Sequence, residues 1–195
     1  MLFDLDGTLV DSTELHLRSF LAALDDLGIP HDENTEEEFY RRVGERFLDI
    51  VRAIYPDLDE KTLSKIRELK WTHMYEYLDE LRVLPHVYEV LDSISDYPKA
   101  LVTSASRQFV EWVFERTGLG KYFSVVIAAE DVKQGKPYPD PYLEGARRLG
   151  VQRAVVVGDT VFDLRSALSA GFPFFPAQSL SVLPQYLSGL QRCWV

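Results

Sequence analysis

From Leu84 onward, short apolar runs that read as strands alternate with stretches of helical periodicity, and this alternation restricts the possible folds more than any other feature of the chain. Lys99 to Ser104 (KALVTS), Ser124 to Ala129 (SVVIAA) and Arg153 to Gly158 (RAVVVG) each have the unbroken apolar, β-branched character of a strand buried on both faces. Around them lie the helical patterns LPHVYEVLDSIS, Arg107 to Thr117 with Gly118 as its stop, Asp140 to Leu149, and Thr160 to Ala170. Phe172 to Phe175, set among prolines, reads as a short edge strand. Met1 to Leu5 adds one more buried strand at the start. Strands that alternate with helices predict an α/β fold, a Rossmann-like doubly wound parallel sheet with ligands outside the carboxyl ends of its strands.

The stretch between the first strand and Leu84 contains no strand pattern. Ser12 to Leu27 carries Leu15, Phe20, Leu24 and Leu27 at helical spacing, and Gly28, Ile29 and Pro30 end it. Thr35 to Val43 opens on Asn34 or Thr35 as a cap, followed by glutamates that suit the positive end of a helix dipole. Gly44 interrupts; Arg46 to Tyr55 resumes a helix that Pro56 closes. A long helix follows from Asp59 to Leu81, with Leu63, Ile66, Met74, Tyr77, Leu78 and Leu81 along one face. Four helices inserted into a sheet protein imply a separate unit. The expected organisation is a core of residues 1–12 and 83–195 and an α-helical cap domain of residues 13–82.

The first strand ends in chemistry. Asp4 and Asp6 are two apart, and in extended backbone both side chains point to the same side while Leu5 points away. Two carboxylates in reach of one another can share a divalent cation, or differ in pKa and take different roles. Gly7 and Thr8 then permit a sharp departure from the strand. A calcium loop of the EF-hand kind is excluded, because Thr8 stands where a third ligand belongs and the required glycine is not at its position.

Composition narrows the class of ligand. With 195 residues, 46% of them hydrophobic, the chain can bury a substantial core. A net charge of −10 argues against a broad footprint on nucleic acid, yet a small phosphorylated metabolite remains compatible, since local cations and a bound metal override the global field at one site. No stretch reaches the roughly 18 apolar residues of a membrane span, and no leader pattern opens the chain, so a soluble cytoplasmic protein is expected, as a monomer or homodimer. The single cysteine, Cys193, has no partner for an internal disulfide.

The stretch FDLDGTLVDS resembles the first motif of the haloacid dehalogenase superfamily, in which Mg-dependent phosphatases and phosphomutases that use an aspartyl-phosphate predominate. Three later stretches extend the resemblance over essentially the whole chain, each at a strand end. LVTSAS offers Ser104, or Thr103 with the register shifted by one, together with the N–H of Ala105, as the grip on a phosphoryl group; helix capping by Ser104 or Ser106 is the plain alternative. GKPYPDPY resembles the third motif and singles out Lys136, whose ammonium can neutralise a carboxylate and a phosphoryl group together. GDTVFD places Asp159 at a strand tip and Asp163 one helical turn on, which resembles the fourth motif, where such acids bind Mg directly or through water.

The resemblance implies a phosphoric monoester hydrolase in which Asp4 attacks phosphorus and Asp6 serves as general acid and base. Mg would be held by Asp4, the backbone carbonyl of Asp6, Asp159 and Asp163. Thr8 would orient the loop that carries Asp6, and Arg46 of the cap would act as a substrate-recognition cation. A phosphomutase of the beta-phosphoglucomutase type is the rival; such enzymes often carry an acid just before the fourth-motif aspartate, where this chain has Gly158. A dehalogenase lacks the second aspartate, so Asp6 argues against it. A phospho-ligand-binding protein without catalysis is the remaining alternative, disfavoured by the intact set of acids and lysine.

Overall fold

A computed structural model describes residues 1–193, with side chains as far as Gly189, so that the side chain of Cys193 lies outside the described residues. In chain order the elements are β1 (Leu2–Phe3), β2 (Val10–Asp11), α1 (Thr13–Asp26), α2 (Glu33–Arg41), α3 (Phe47–Ile54), α4 (Glu60–Tyr77), β3 (Arg82–Val83), α5 (Val87–Ser93), β4 (Ala100–Val102), α6 (Arg107–Thr117), β5 (Val125–Ile127), α7 (Asp140–Leu149), β6 (Val156–Gly158), α8 (Val161–Ser169), β7 (Phe174–Pro176) and α9 (Leu183–Cys193).

Five strands pair in the order β5-β4-β1-β6-β7, and every pairing is parallel. This is the doubly wound α/β sheet that the alternation predicts. β1 is two residues long and sits at the centre, where β4 and β6 pair with it on either side. Its brevity is offset by burial on both faces. Phe3 enters the larger apolar cluster with residues of α5, α6 and α9, while Leu2 enters the opposite one beside Tyr142 and Ala146 of α7. Both side chains are fully buried, which is worth roughly 1.5–3 kcal/mol each.

The helices α1 to α4 close a third apolar cluster of their own, with Phe20 and Leu24 from α1, Phe39 from α2, Val51 from α3, and Leu63 and Ile66 from α4. Several boundaries differ from the expected ones. α2 begins earlier, because Asp32 rather than Asn34 or Thr35 is the cap: its carboxylate accepts from the Thr35 N–H at 3.1 Å and Thr35 Oγ1 accepts from the Asp32 N–H. α4 ends at Tyr77, and Leu78–Glu80 forms a tighter single turn. The second core strand starts at Ala100, since Lys99 folds its ammonium back onto the carbonyls of Ile94 and Tyr97. A further feature lacked any signal in the sequence. β2 and β3 pair antiparallel, Val10 against Val83 and Asp11 against Arg82, so the chain enters and leaves the helical segment through one two-stranded ribbon. Among the described residues no helix is long and apolar enough to cross a membrane.

Candidate active site

The carboxyl ends of β1, β4 and β6 converge with the loop before α7 on one point. Asp4 continues the ladder one residue past β1, its N–H donating to the Val157 carbonyl at 2.9 Å. The chain then coils tightly, with the N–H groups of Leu9 and Val10 donating to the Leu5 carbonyl at 2.8 and 3.1 Å. Gly7 makes that coil possible for two reasons. Its φ is +72°, and a Cβ there would lie 2.2 Å from a carboxylate oxygen of Asp159. The glycine therefore lets the β1 loop and the β6 tip approach each other.

At the centre stands Lys136. Its side chain is 1% exposed, and its Nζ lies 2.6 Å from Asp4 Oδ1 and 2.6 Å from Asp163 Oδ1. Asp163 is otherwise fully engaged: the Tyr142 hydroxyl donates to Oδ1 at 2.7 Å, and Thr160 donates to Oδ2 from Oγ1 at 2.7 Å and from its N–H at 3.1 Å. One ammonium thus serves two carboxylates with unequal result. Burial would raise Asp163, but Lys136 with the Thr160 and Tyr142 hydrogen bonds holds it below the usual carboxylate range. Asp4 is pushed well up by burial and by the charge of Asp163, which Lys136 only partly counters. Asp159, half-buried, accepts from Thr8 Oγ1 at 2.9 Å and is pushed up to about 6, by burial first and by Asp163 second. The Thr8 hydroxyl thus reaches Asp159, while its N–H donates to the Leu5 carbonyl at 3.3 Å within the coil that carries Asp6.

Asp6 has different surroundings. The strand has already ended, so the two-residue alternation does not apply, and its carboxylate turns toward α1. Oδ1 accepts from Ser12 Oγ at 2.5 Å and lies 3.2 Å from His16 Nε2, whose Nδ1 is in turn 2.7 Å from Lys70 Nζ on α4. Burial would raise Asp6, yet His16, Ser12 and Lys70 together bring it below the ordinary carboxylate value. The two acids thus occupy opposite electrostatic settings. Ligand atoms of Asp4, Asp159 and Asp163 lie within 4.8 Å of one another; the Asp6 side chain is outside that group.

Beside Asp4 and Asp6 opens a cavity of about 80 Å³, roofed by Phe39, Val43, Phe47 and Trp71 of the helical segment and floored by Thr103, Ser104 and Ala105. Ser104 Oγ donates to the Gly44 carbonyl at 2.6 Å, while Thr103 Oγ1 accepts from the Ala105 N–H at 3.0 Å. Ser106 caps α6 by accepting from the Phe109 N–H. Arg46 does not line the cavity. Its guanidinium donates to the Val132 and Lys133 carbonyls at 2.5 and 3.0 Å, tying the helical segment to the loop that leads to Lys136. Three residues that the sequence did not single out complete the site: His16, Lys70 and Tyr142.

Residues 1–177 match the family model described as haloacid dehalogenase-like hydrolase. Pyrophosphatase PpaX of Bacillus velezensis is 31% identical over 175 residues, which span 88% of this chain and 79% of the relative. Among solved structures, a hydrolase from Pseudomonas syringae superposes with a TM-score of 0.80 at 22% identity, covering 89% of this chain and 81% of the other, a likeness of fold. CbbY from Rhodobacter sphaeroides in complex with phosphate gives 0.79 at 26% identity, with 90% and 84% covered. A mutant of CbbY was solved with xylulose-(1,5)bisphosphate and gives 0.78 at 25% identity over the same shares.

Proposed function

Since this chain belongs to the haloacid dehalogenase-like hydrolase family, we propose that it is a Mg-dependent phosphatase that hydrolyses a small phosphorylated metabolite through an aspartyl-phosphate on Asp4. The observation that carries this reading is the shared ammonium. Lys136 orients Asp4 Oδ1 from a fully buried position at the tip of the central strand, with a second carboxylate, Asp6, facing the same cavity in a contrasting electrostatic setting.

The residues fit a divalent cation. Three acids within reach of one another have a single ammonium between them, and two of the three are pushed up by burial and mutual repulsion, the state that a bound cation relieves. Hard oxygen donors suit Mg. Asp4, Asp159 and the backbone carbonyl of Asp6 would hold it; Asp163, with both oxygens already accepting, would support from behind through Lys136. When bound, the metal neutralises charge on the phosphoryl oxygens and on Asp4.

This chain's own residues do the rest. Asp4 attacks phosphorus in line, and the P–O bond to the leaving group breaks as the bond to Asp4 Oδ forms. Asp6 gives a proton to the leaving oxygen; the dianionic phosphoryl group arriving beside it supplies the negative charge that raises its hold on that proton. Once the leaving group departs, Asp6 is the anion that His16 and Ser12 favour, and it takes a proton from the water that cleaves the aspartyl-phosphate. Ser104 and the Ala105 N–H would grip the phosphoryl oxygens, which requires the Ser104 hydroxyl to leave the Gly44 carbonyl. Residues 13–82 act as a lid that excludes water.

Gly158 favours the phosphatase over the mutase reading. A Cβ at that position would lie 2.6 Å from the Asp163 Cβ, so an acidic side chain there is incompatible with the present place of Asp163. Phosphate release from a panel of phosphorylated metabolites, scored against sugar-phosphate isomerisation, tests the proposal. Asp4→Asn should abolish release while the thermal transition persists, EDTA should stop the native protein, and Mg should restore it. Turnover by Asp4→Asn would remove the nucleophile assignment; full activity in chelator would remove the metal.

A further inference from the structure

The loop between β5 and α7 ends on Lys136, and its middle is held from outside the sheet domain. Its start is fixed where the Asp131 carboxylate accepts from the Ala128 N–H at 2.8 Å and from Arg148 at 3.2 Å, with Arg107 as a further donor. Its end is fixed by the bonds of Lys136 to Asp4 and Asp163. Between these anchors the side chain of Val132 packs on the smaller core cluster. The backbone of residues 132–134, however, makes only two hydrogen bonds among the described residues, and Arg46 donates both. Nη2 meets the Val132 carbonyl at 2.5 Å and Nη1 the Lys133 carbonyl at 3.0 Å. Arg46 itself stands at the start of α3, in the helical segment.

The stem of Arg46 lies across Gly135, the residue just before Lys136. A Cβ at Gly135 would stand 2.8 Å from Arg46 Nε, 3.1 Å from Cγ and 3.2 Å from Cδ, so the missing side chain is what gives the guanidinium its seat. In that seat Nε is buried with no partner, an unfavourable state for a polar donor. An aliphatic side chain would fill the space without that cost, so packing alone does not account for an arginine. The planar fork does, because it meets two adjacent carbonyls at once with charge-assisted bonds. Three residues past the second of those carbonyls, Lys136 must keep a long side chain in one conformation, with Nζ 2.6 Å from each of two carboxylates.

We infer that Arg46 is a positioning residue for Lys136: by holding residues 132–135 from the helical segment, it sets the ammonium at Asp4 while the lid lies on the core. The inference rests on the phosphatase reading above and adds a second role for the closed lid, which completes the surroundings of the attacking carboxylate as well as excluding water. An open lid withdraws the fork, leaves two carbonyls unbonded and frees the approach to Lys136, so attack is confined to the closed form.

The test reads the placement of Lys136 directly. Acetic anhydride labelling of the full chain, followed by peptide mass spectrometry, compares Lys136, which is 1% exposed, with the exposed Lys133 in the same loop and the buried Lys99 far from it. In Arg46→Ala the labelling of Lys136 relative to Lys133 should rise ~10-fold or more, as expected when bonds to a charged group are lost from a locally opening segment, while Lys99 stays protected. With p-nitrophenyl phosphate and Mg, kcat of the same variant should fall ~10- to 100-fold, a larger factor than the rise in KM. Arg46→Lys, which reaches one carbonyl in place of two, should fall between, and millimolar guanidinium should restore part of kcat to Arg46→Ala where sodium at equal ionic strength does not. Unchanged labelling of Lys136, or a rise shared with Lys99, would overturn the inference. A higher KM with kcat intact would assign Arg46 to lid closure alone and overturn it too. Absence of phosphate release by the native protein, from this probe and from the metabolite panel, would remove the phosphatase reading, and the labelling would still decide whether Arg46 places Lys136.

Discussion

Replacing Lys136 with methionine keeps most of the aliphatic volume and removes the single ammonium that two carboxylates share. The side chains concerned are 1% exposed for Lys136, 6% for Asp4 and 0% for Asp163, so water cannot take its place. Breaking a buried pair from one side costs about 3–5 kcal/mol. For a chain of this length each kcal/mol moves the melting temperature by about 2–4 °C, so the variant should melt ~6–20 °C lower in EDTA at neutral pH. The pH dependence is the sharper signature. In the native protein Asp163 is depressed, so its contribution is present above the unfolded pKa and is lost as the pH falls. In Lys136→Met neither acid has a counter-ion, and burial with mutual repulsion raises both in the folded state. Stability from a raised acid is present below its unfolded pKa and lost as the pH rises. The gap between native and variant should therefore be small near pH 4.5 and widen toward pH 8. Calorimetry across that range reads it directly, and added Mg should recover part of the loss at pH 8 by supplying a cation to the same acids. A gap that stays constant with pH, or a variant that melts with the native protein, would refute this account of Lys136.

Two further substitutions probe the frame around these acids. Gly7→Ala forces a Cβ against the Asp159 carboxylate and strains a left-handed residue; it should cost about 1–2 kcal/mol of stability and raise the Mg concentration needed for half-maximal activity, whereas an unchanged Mg requirement would show that Asp159 does not hold the metal. Arg46→Ala removes the tether to the Val132 and Lys133 carbonyls; hydrogen exchange at residues 42–46 should quicken and KM should rise, and unchanged exchange with unchanged KM would assign Arg46 no part in closing the lid.

The residues that surround Lys136 were legible because each stands at a strand end with turn chemistry beside it, and strand ends in a doubly wound sheet must meet. Asp4, Asp159 and Asp163 come together with Lys136 for that reason. Helices with strong punctuation, such as Arg107–Thr117 and Asp140–Leu149, begin and end where their caps and glycines indicate. Contacts between distant helices were not legible. His16 and Lys70 are 54 residues apart, and each taken singly is an ordinary helical polar residue. One signal for Lys70 did exist: on α4 it falls four residues after Ile66 and four before Met74, on the apolar face. A lysine in a buried row needs a partner, and here Lys70 meets His16 Nδ1 at 2.7 Å and the face of Trp71. Arg46 was read from its position near a helix start, but the backbone carbonyls it meets belong to a loop 86 residues away, which no local pattern encodes. The β2–β3 ribbon, with two residues per strand, is too short to leave a periodicity.

That ribbon also bears on how such a protein can diverge. Because departure and return occur on adjacent, hydrogen-bonded strands, the ends of the helical segment are clamped side by side whatever lies between them. The entropy of closing the loop is met at the ribbon, and lengthening the loop adds only slowly to it. Helices can be added, lost or resurfaced there without shifting the register of β1 against β4 and β6, so Asp4 keeps its place while the chamber above it is rebuilt.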